Sequence, residues 1–111
     1  MRKILNSDQI TVQAAEAIRN FHPQAVDKVI QAINENEWVI VGMAQNPVVK
    51  NAKRHLDSKS IKYHYIENGS YFSQWKLRLA IKMWSGWPTF PQVFHKGKLV
   101  GGASDLKKYL P

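Results

Sequence analysis

Few residues of this chain stand in patterns that could support covalent or metal chemistry. The 111 residues include no cysteine, so the chain offers no thiolate as a nucleophile or metal ligand and can form no disulfide. Ser104 followed by Asp105 is typical of a helix start rather than of a nucleophile beside its base. No two histidines have the close spacing typical of zinc ligands; they are His22, His55, His64 and His95. The residue types therefore argue against a thiol enzyme, a zinc site and a hydrolase.

The positive charge of the chain is unevenly distributed. The formal net charge is +8, yet residues 1–36 carry four basic and four acidic side chains and contribute none of it. Residues 37–111 carry twelve basic and four acidic groups and hold the whole excess. Such a field favours anionic partners, namely nucleic acid, acidic proteins or small carboxylates, although an ordinary solvated surface has the same composition.

Length and hydropathy limit the class of protein. A chain of 111 residues suits one domain with a real core. No apolar run approaches the ~20 residues that a membrane span needs. The N-terminus begins basic but turns polar at once, without the apolar stretch of a signal peptide. We therefore expect a cytoplasmic protein that makes no membrane contact.

The first part of the chain is predicted to be mainly helical. Ser7 is a candidate N-cap for a helix over residues 7–20, and Pro23 suits the first turn of a second helix. The continuous apolar run at 38–41 is typical of a strand that is covered on both faces.

Helices and strands alternate in the remainder. Asn46 and Pro47 have the types preferred at the N-cap and first position of a helix. A strand is predicted at 61–66, and an antiparallel hairpin at 92–100. A helix is predicted over 71–84, and Phe72, Trp75, Leu79 and Met83 recur in it at helical spacing. The aromatic side chains of Tyr71, Trp75 and Trp84 could stack on bases, but aromatic residues at such spacing are more often in the core. Ser104 is expected to cap a last short helix. This order predicts an α/β protein, with a central mixed sheet and helices on both faces.

Residues 87–102 carry a specific family signal. The string Trp87-Pro88-Thr89-Phe90-Pro91-Gln92, followed by Gly97-Lys98-Leu99-Val100-Gly101-Gly102, resembles the glutaredoxin family, and especially its monothiol branch. Arg78 and Lys82 also match basic positions of that branch. The resemblance covers roughly residues 24–110. It implies a thioredoxin/glutaredoxin-like fold with a four-stranded mixed sheet over 24–111, to which residues 1–23 add an extra N-terminal helix.

The resemblance also implies a glutathione groove. In the family the proline of Thr-x-Pro is cis, so Pro91 should be cis and the backbone of Phe90 should be open to the cysteinyl part of glutathione. Ser104 and Asp105 match the element that takes the γ-glutamyl carboxylate at a helix N-terminus and the ammonium on a carboxylate. The implied, vestigial binding set is Asn46, Arg78, Lys82, Phe90, Pro91, Ser104 and Asp105.

The chain departs from the family where the chemistry should be. Aligning Pro47 with the proline of Cys-Pro-x-Cys puts Asn46 at the nucleophilic cysteine and Val49 at the resolving one. Met43 stands where the family usually has a lysine, and Ala103 where a cysteine often follows the glycine pair. Disulfide reduction and iron–sulfur binding both need the first cysteine. Neither can therefore run by the family mechanism, and we expect no resident cofactor and no metal, with glutathione as the candidate ligand.

Three functional hypotheses follow. The first is a redox-inactive glutaredoxin-like protein that binds a glutathione-like ligand or an acidic protein partner without chemistry. The second is an enzyme, with a glutathione-linked disulfide oxidoreductase or electron-transfer role through a non-standard mechanism. The third is a basic nucleic-acid-binding module, which has no motif behind it beyond charge.

Overall fold

The central strand β1, Trp38–Gly42, is buried along its whole length. The computed structural model describes residues 2–111 and places β1 inside a four-stranded sheet of order β2-β1-β3-β4. Strand β2, His64–Glu67, runs parallel to β1, and β3, Gln92–His95, runs antiparallel to it. Strand β4, Lys98–Gly101, forms the predicted hairpin with β3. The predicted mixed sheet is confirmed.

Two helices cover each face of this sheet. Helices α2, Pro23–Glu35, and α4, Trp75–Ser85, pack on one face. Helices α3, Pro47–Ser58, and α5, Ala103–Tyr109, pack on the other. The first core lies between α2, α4 and the sheet, and includes Val29, Val39, Val41, Ile81 and Phe94. The second lies under α3 and α5, and includes Ile40, Ala52, Leu56, Val93 and Leu106. Within residues 2–111 no helix is long and apolar enough to cross a membrane.

The N-terminal helix is shorter than the predicted span of 7–20. A single 3-10 turn covers Ser7–Gln9, and helix α1 then covers Val12–Arg19. The N-cap of α1 is Thr11, whose hydroxyl accepts a hydrogen bond from the Ala14 N–H at 3.2 Å. The prediction of Ser7 as the cap was wrong, because the Thr11 hydroxyl supplies a better placed acceptor.

Helix α4 also begins later than predicted, and its aromatic side chains are exposed. Gln74, just before α4, has a left-handed backbone with φ of 56°, so the stretch before it cannot continue the helix. The face that α4 buries carries Arg78, Ala80 and Ile81. Ile81 packs in the first core, so the opposite side of α4 faces outward. The prediction that Tyr71, Trp75 and Trp84 are core was wrong, since all three are exposed, as are Phe72, Leu79 and Met83.

Two further boundaries differ from the sequence-based prediction. Strand β2 begins at His64 rather than at residue 61, although Ile61 still packs against the second core. The N-cap of α5 is Gly102 rather than Ser104. The Asp105 carboxylate accepts the Gly102 N–H at 3.0 Å and so starts the helix two residues earlier, which leaves Ser104 exposed inside it.

The edge of the sheet at the start of β1 is closed by a cluster around His95. The His95 ring stacks on Trp38 with centroids 3.9 Å apart, and its two nitrogens face Tyr109 Oη at 2.6 Å and Glu37 Oε2 at 3.2 Å. An ionised carboxylate only accepts hydrogen bonds, so Nε2 donates to Glu37. This cluster fixes the end of α5 against the sheet.

Asn46 starts helix α3 as the sequence predicts. Its Oδ1 accepts hydrogen bonds from the N–H groups of Val48 at 2.9 Å and Val49 at 3.0 Å.

We expect Asn46→Ala to lower the free energy of unfolding by about 1 kcal/mol, the usual cost of losing such a cap. Urea denaturation measures the change. Asn46→Asp is the matched control, since it keeps an acceptor in place, and equal stability of the alanine variant and wild type would contradict the assigned role.

Candidate functional site

Four loops meet at the edge of the sheet where β1 ends. Val41 pairs with Gln92, so Pro91 lies beside the last residues of β1. Val93 pairs with Gly101, which brings the turn into α5 to the same edge. Because β2 is parallel to β1, the loop that follows β2 emerges there as well. The backbone of the fold therefore gathers the stretches that contain Asn46, Phe90-Pro91 and Asp105.

Asn46 occupies the centre of this edge. Its side chain is nearly buried, and its Nδ2 donates to Tyr71 Oη at 3.4 Å. The Oδ1 atom already accepts the N–H groups of Val48 and Val49. A thiolate placed at such a helix N-terminus would be stabilised by the same amides and by the helix dipole. The Asn46 carboxamide engages these amide donors as an N-cap and supplies no nucleophile.

Phe90 and Pro91 form the wall opposite Asn46. The peptide bond between them is cis, as predicted. Among the hydrogen bonds of residues 2–111, none involves the backbone N–H or C=O of Phe90. Lys82 Nζ lies 5.7 Å from the centroid of the Phe90 ring, so the predicted cation of α4 does reach this wall. Phe90 thus presents an unpaired backbone donor and acceptor next to a positive charge.

The turn into α5 forms the third side of the edge. Gly101 has a φ of 124°, and a Cβ there would meet Asp105 Cγ at 2.8 Å. A side chain at Gly101 would therefore displace the Asp105 carboxylate from its bond to Gly102. A Cβ on Gly102 would lie 3.7 Å from the Pro91 carbonyl oxygen and 3.8 Å from Trp87 Nε1. The start of α5, Pro91 and Trp87 are therefore in close proximity.

Arg78 does not line the edge as a free cation. Its residue is only 7% exposed, and its Nη1 donates to the carbonyl oxygens of Asn68 at 2.9 Å and Ser73 at 2.6 Å. The guanidinium fixes the loop between β2 and α4 from beneath. The implied binding set included Arg78, but this residue is buried and its Nη1 already donates to two carbonyl oxygens, so it does not stand at the edge as an exposed cation.

Sequence reasoning did not include three other residues of this edge in the binding set. Tyr71 contacts Asn46, and the Nε2 of fully buried Gln92 donates to the Trp87 carbonyl at 3.0 Å. Trp87 Nε1 and Gln92 Oε1 are buried without a hydrogen-bond partner in the described part of the chain. Trp87 and Gln92 both belong to the family string, which was a usable signal. Tyr71 lies outside the family string.

The electrostatic character of the edge is positive. Lys50 and Arg54 are exposed on α3, and Lys53 Nζ lies 3.5 Å above the Tyr65 ring. Burial, together with a hydrogen bond to Glu67 at 3.1 Å, raises the pKa of Tyr65 well above its usual value. Its phenol therefore stays protonated at neutral pH and supplies no base.

The donor set does not fit an iron–sulfur cluster. Such clusters need cysteine thiolates, the chain has none, and the Asn46 oxygen that stands in their place is already bonded to two amides. Across residues 2–111, no three His, Asp or Glu side chains are grouped as metal ligands.

Comparisons with known proteins agree with this geometry. The family model described as Glutaredoxin matches residues 45–100. A glutaredoxin-like protein of Dictyostelium discoideum is 42% identical over 109 residues, which cover 98% of this chain and 87% of that protein. Monothiol glutaredoxin-S17 of Arabidopsis thaliana is 33% identical over 84 residues, covering 71% of this chain but 17% of that longer protein.

Solved structures give the same result. The crystal structure of a buckwheat glutaredoxin–glutathione complex superposes with a TM-score of 0.69 at 26% identity, covering 78% of each chain. The solution structure of reduced glutaredoxin C1 from Populus tremula x tremuloides gives a TM-score of 0.71 at 22% identity, covering 83% of this chain and 79% of that one. With the family match over half its length and a relative along almost all of it, the chain belongs to the glutaredoxin family.

Proposed function

We propose that this chain is a redox-inactive glutaredoxin-like protein that binds a thiol peptide of the glutathione type without reacting with it. The observation that carries the proposal is the unpaired backbone of Phe90 opposite a carboxamide in place of a thiolate. A backbone donor and acceptor side by side can pair with an extended peptide in the manner of an added strand. The chain then retains the ligand-binding part of the family site without its nucleophile.

The charges around the groove suit such a ligand. Glutathione carries two carboxylates and one ammonium group, so its net charge at neutral pH is negative. Lys82 beside the Phe90 ring would meet a carboxylate, and Asp105 at the start of α5 would meet the ammonium. The printed title of the buckwheat structure, a glutaredoxin–glutathione complex, adds support from a relative of the same fold.

The positive surface also supports the acidic-protein version of the hypothesis, in which the ligand is a peptide segment rather than a free tripeptide. Both versions use the Phe90 backbone and a nearby cation. They differ in the partner of the Asp105 carboxylate, because only the free γ-glutamyl end of glutathione places an ammonium group at that position. The glutathione version is favoured because Asp105 is held in place by its bond to Gly102.

Titration with reduced glutathione tests the groove directly. We expect backbone amide NMR shifts at Phe90, Ala103 and Ser104, since these amides border the proposed ligand. Asp105→Asn should weaken binding about tenfold, the order of one hydrogen bond to a charged group, while an amide oxygen can still accept from Gly102.

The matched control ligand is cysteinylglycine, which lacks the γ-glutamyl ammonium. Its affinity should be lower and should not change in Asp105→Asn. Absence of shifts at Phe90 at saturating glutathione would refute the glutathione version. An equal loss for both ligands would show that Asp105 acts only on the helix.

A glutathione-coupled disulfide reductase assay tests the loss of chemistry. We expect the wild-type chain to give no turnover above background, because it has no sulfur nucleophile. Asn46→Cys should recover weak activity, since the new thiol would inherit the N–H groups of Val48 and Val49, which lower the pKa of a thiol at a helix N-terminus. Recovery should stay weak because buried Met43 replaces the lysine usual in the family.

Val49→Cys is the matched control for this assay. It places a thiol at the resolving position, where the side chain is buried, and should give no activity. Turnover by the wild-type protein would overturn the proposal and favour the non-standard enzyme hypothesis instead.

A further inference from the structure

An exposed apolar surface lies on α4 and on the loop before it. We name it the aromatic face; Phe72 is 95% exposed and Trp75 is 57% exposed. Single exposed apolar residues are ordinary, but contiguous patches of this kind mark interaction sites. Trp75, Leu79 and Met83 recur every four residues along α4 and therefore share one side of the helix. The face consists of Tyr71, Phe72, Trp75, Leu79 and Met83.

The N-terminal segment, residues 4–18, is the second unpartnered apolar surface. Its large apolar side chains are exposed, among them Ile4, Leu5, Val12 and Ile18. The segment runs beside the end of α4, where Arg2 Nη1 donates to the Ser85 carbonyl at 3.4 Å. Ile18, Met83 and Trp84 help to line an open cleft of about 410 Å³ between it and the helix. Within one chain, the segment therefore lies next to the aromatic face without covering it.

The charged side chains inside the two surfaces have opposite sign. Between residues 4 and 18 they are Asp8 and Glu16, while Arg2, Lys3 and Arg19 flank this stretch. The stretch from Asn68 through Ser104, which includes the aromatic face, contains no acidic residue at all. Lys76 Nζ lies 5.6 Å from the Trp75 ring centroid, so a cation sits on the face itself. An acidic apolar segment and a basic apolar face are complementary in both hydrophobicity and charge.

We propose that the N-terminal segment of one copy packs on the aromatic face of a second copy, and the reverse, to form a symmetric dimer. Each chain carries segment and face side by side, since Ile18 and Met83 line the same cleft. A two-fold axis between the copies would therefore form both contacts at once, which is the self-complementary arrangement of most homodimers. The inference does not depend on whether glutathione binds.

The area available is sufficient for such a dimer. The three aromatic side chains of the face bury on the order of 400 Å² when covered, and the segment that covers them loses a similar area. Two such contacts remove roughly 1,600 Å², which is the standard size of a specific interface. The net charge of +8 opposes association, but none of it comes from residues 1–36. Charges further apart than a Debye length, ~8 Å at physiological ionic strength, are largely screened.

A nucleic acid fits the face less well. Non-specific binding of single strands needs a positive groove that follows the phosphates as well as aromatic rings. Besides buried Arg78, α4 supplies Lys76 and Lys82 as cations. Leu79 and Met83 occupy the middle and far part of the face and offer no ring for a base. Leu79 and Met83 are better covered by apolar side chains of a protein segment.

Sedimentation equilibrium of the full chain over a wide concentration range tests the dimer. We expect a reversible monomer–dimer equilibrium in the wild type. Phe72→Ser should weaken it about tenfold or more, because truncation of a central interface aromatic has that effect. The fold should survive, since Phe72 is almost fully exposed. Leu99→Ser, on edge strand β4 away from α4, is the matched control and should leave the equilibrium unchanged. The proposal fails if the wild-type chain stays monomeric, or if Phe72→Ser leaves the dimer as strong as in the wild type.

Charge reversal identifies the occupant of the face. Glu16→Lys and Lys76→Glu should each weaken the dimer severalfold, and a mixture of the two variants should associate more tightly than either alone. Lys108→Glu, on α5 across the sheet, makes the same change in net charge as Lys76→Glu and should leave the dimer as strong as in the wild type. If mixing the two variants gives no recovery, the segment is not what covers the face, and the proposal fails.

Discussion

The complete burial of β1 is the constraint from which the rest of the molecule follows. A strand covered on both faces and paired on both edges requires a sheet partner on each side and helices above and below. Once β1 is parallel to β2 and antiparallel to β3, the loops after β1 and β2 and the loop before β3 must open at one edge. The binding edge is therefore a product of topology and does not require a catalytic residue to hold it together.

Asn46 shows how a site can lose its chemistry and keep its shape. The helix that follows β1 needs an acceptor for its first N–H groups, and a carboxamide oxygen serves that need as well as a sulfur would. Because Val48 and Val49 donate to the same oxygen, α3 starts where a reactive member of the family would start it. Structure and reactivity depend on different properties of the same position, which explains why the fold survives the replacement.

The parts of the fold that sequence reasoning predicted correctly depend on local signals, and those it missed depend on packing. Residue types alone place the start of α3 at Asn46-Pro47, and the family string identifies the cis bond before Pro91. The period of apolar residues on α4 pointed to the wrong face, because the choice between Ile81 and Trp75 as the buried side depends on how closely α2 approaches. The burial of Arg78 likewise depends on carbonyl groups, at Asn68 and Ser73, that no sequence pattern reveals.

A chain without sulfhydryl groups also has no thiol–disulfide switch. Cysteine is the side chain through which related folds can be converted to disulfides, sulfenic acids or mixed adducts, and here that entire ladder is missing. Of the oxidisable side chains at the binding edge, Met43 is buried. The groove beside Asn46 thus keeps one covalent state under reducing and oxidising conditions alike. Its occupancy therefore depends on the concentration and affinity of the ligand and not on the redox potential.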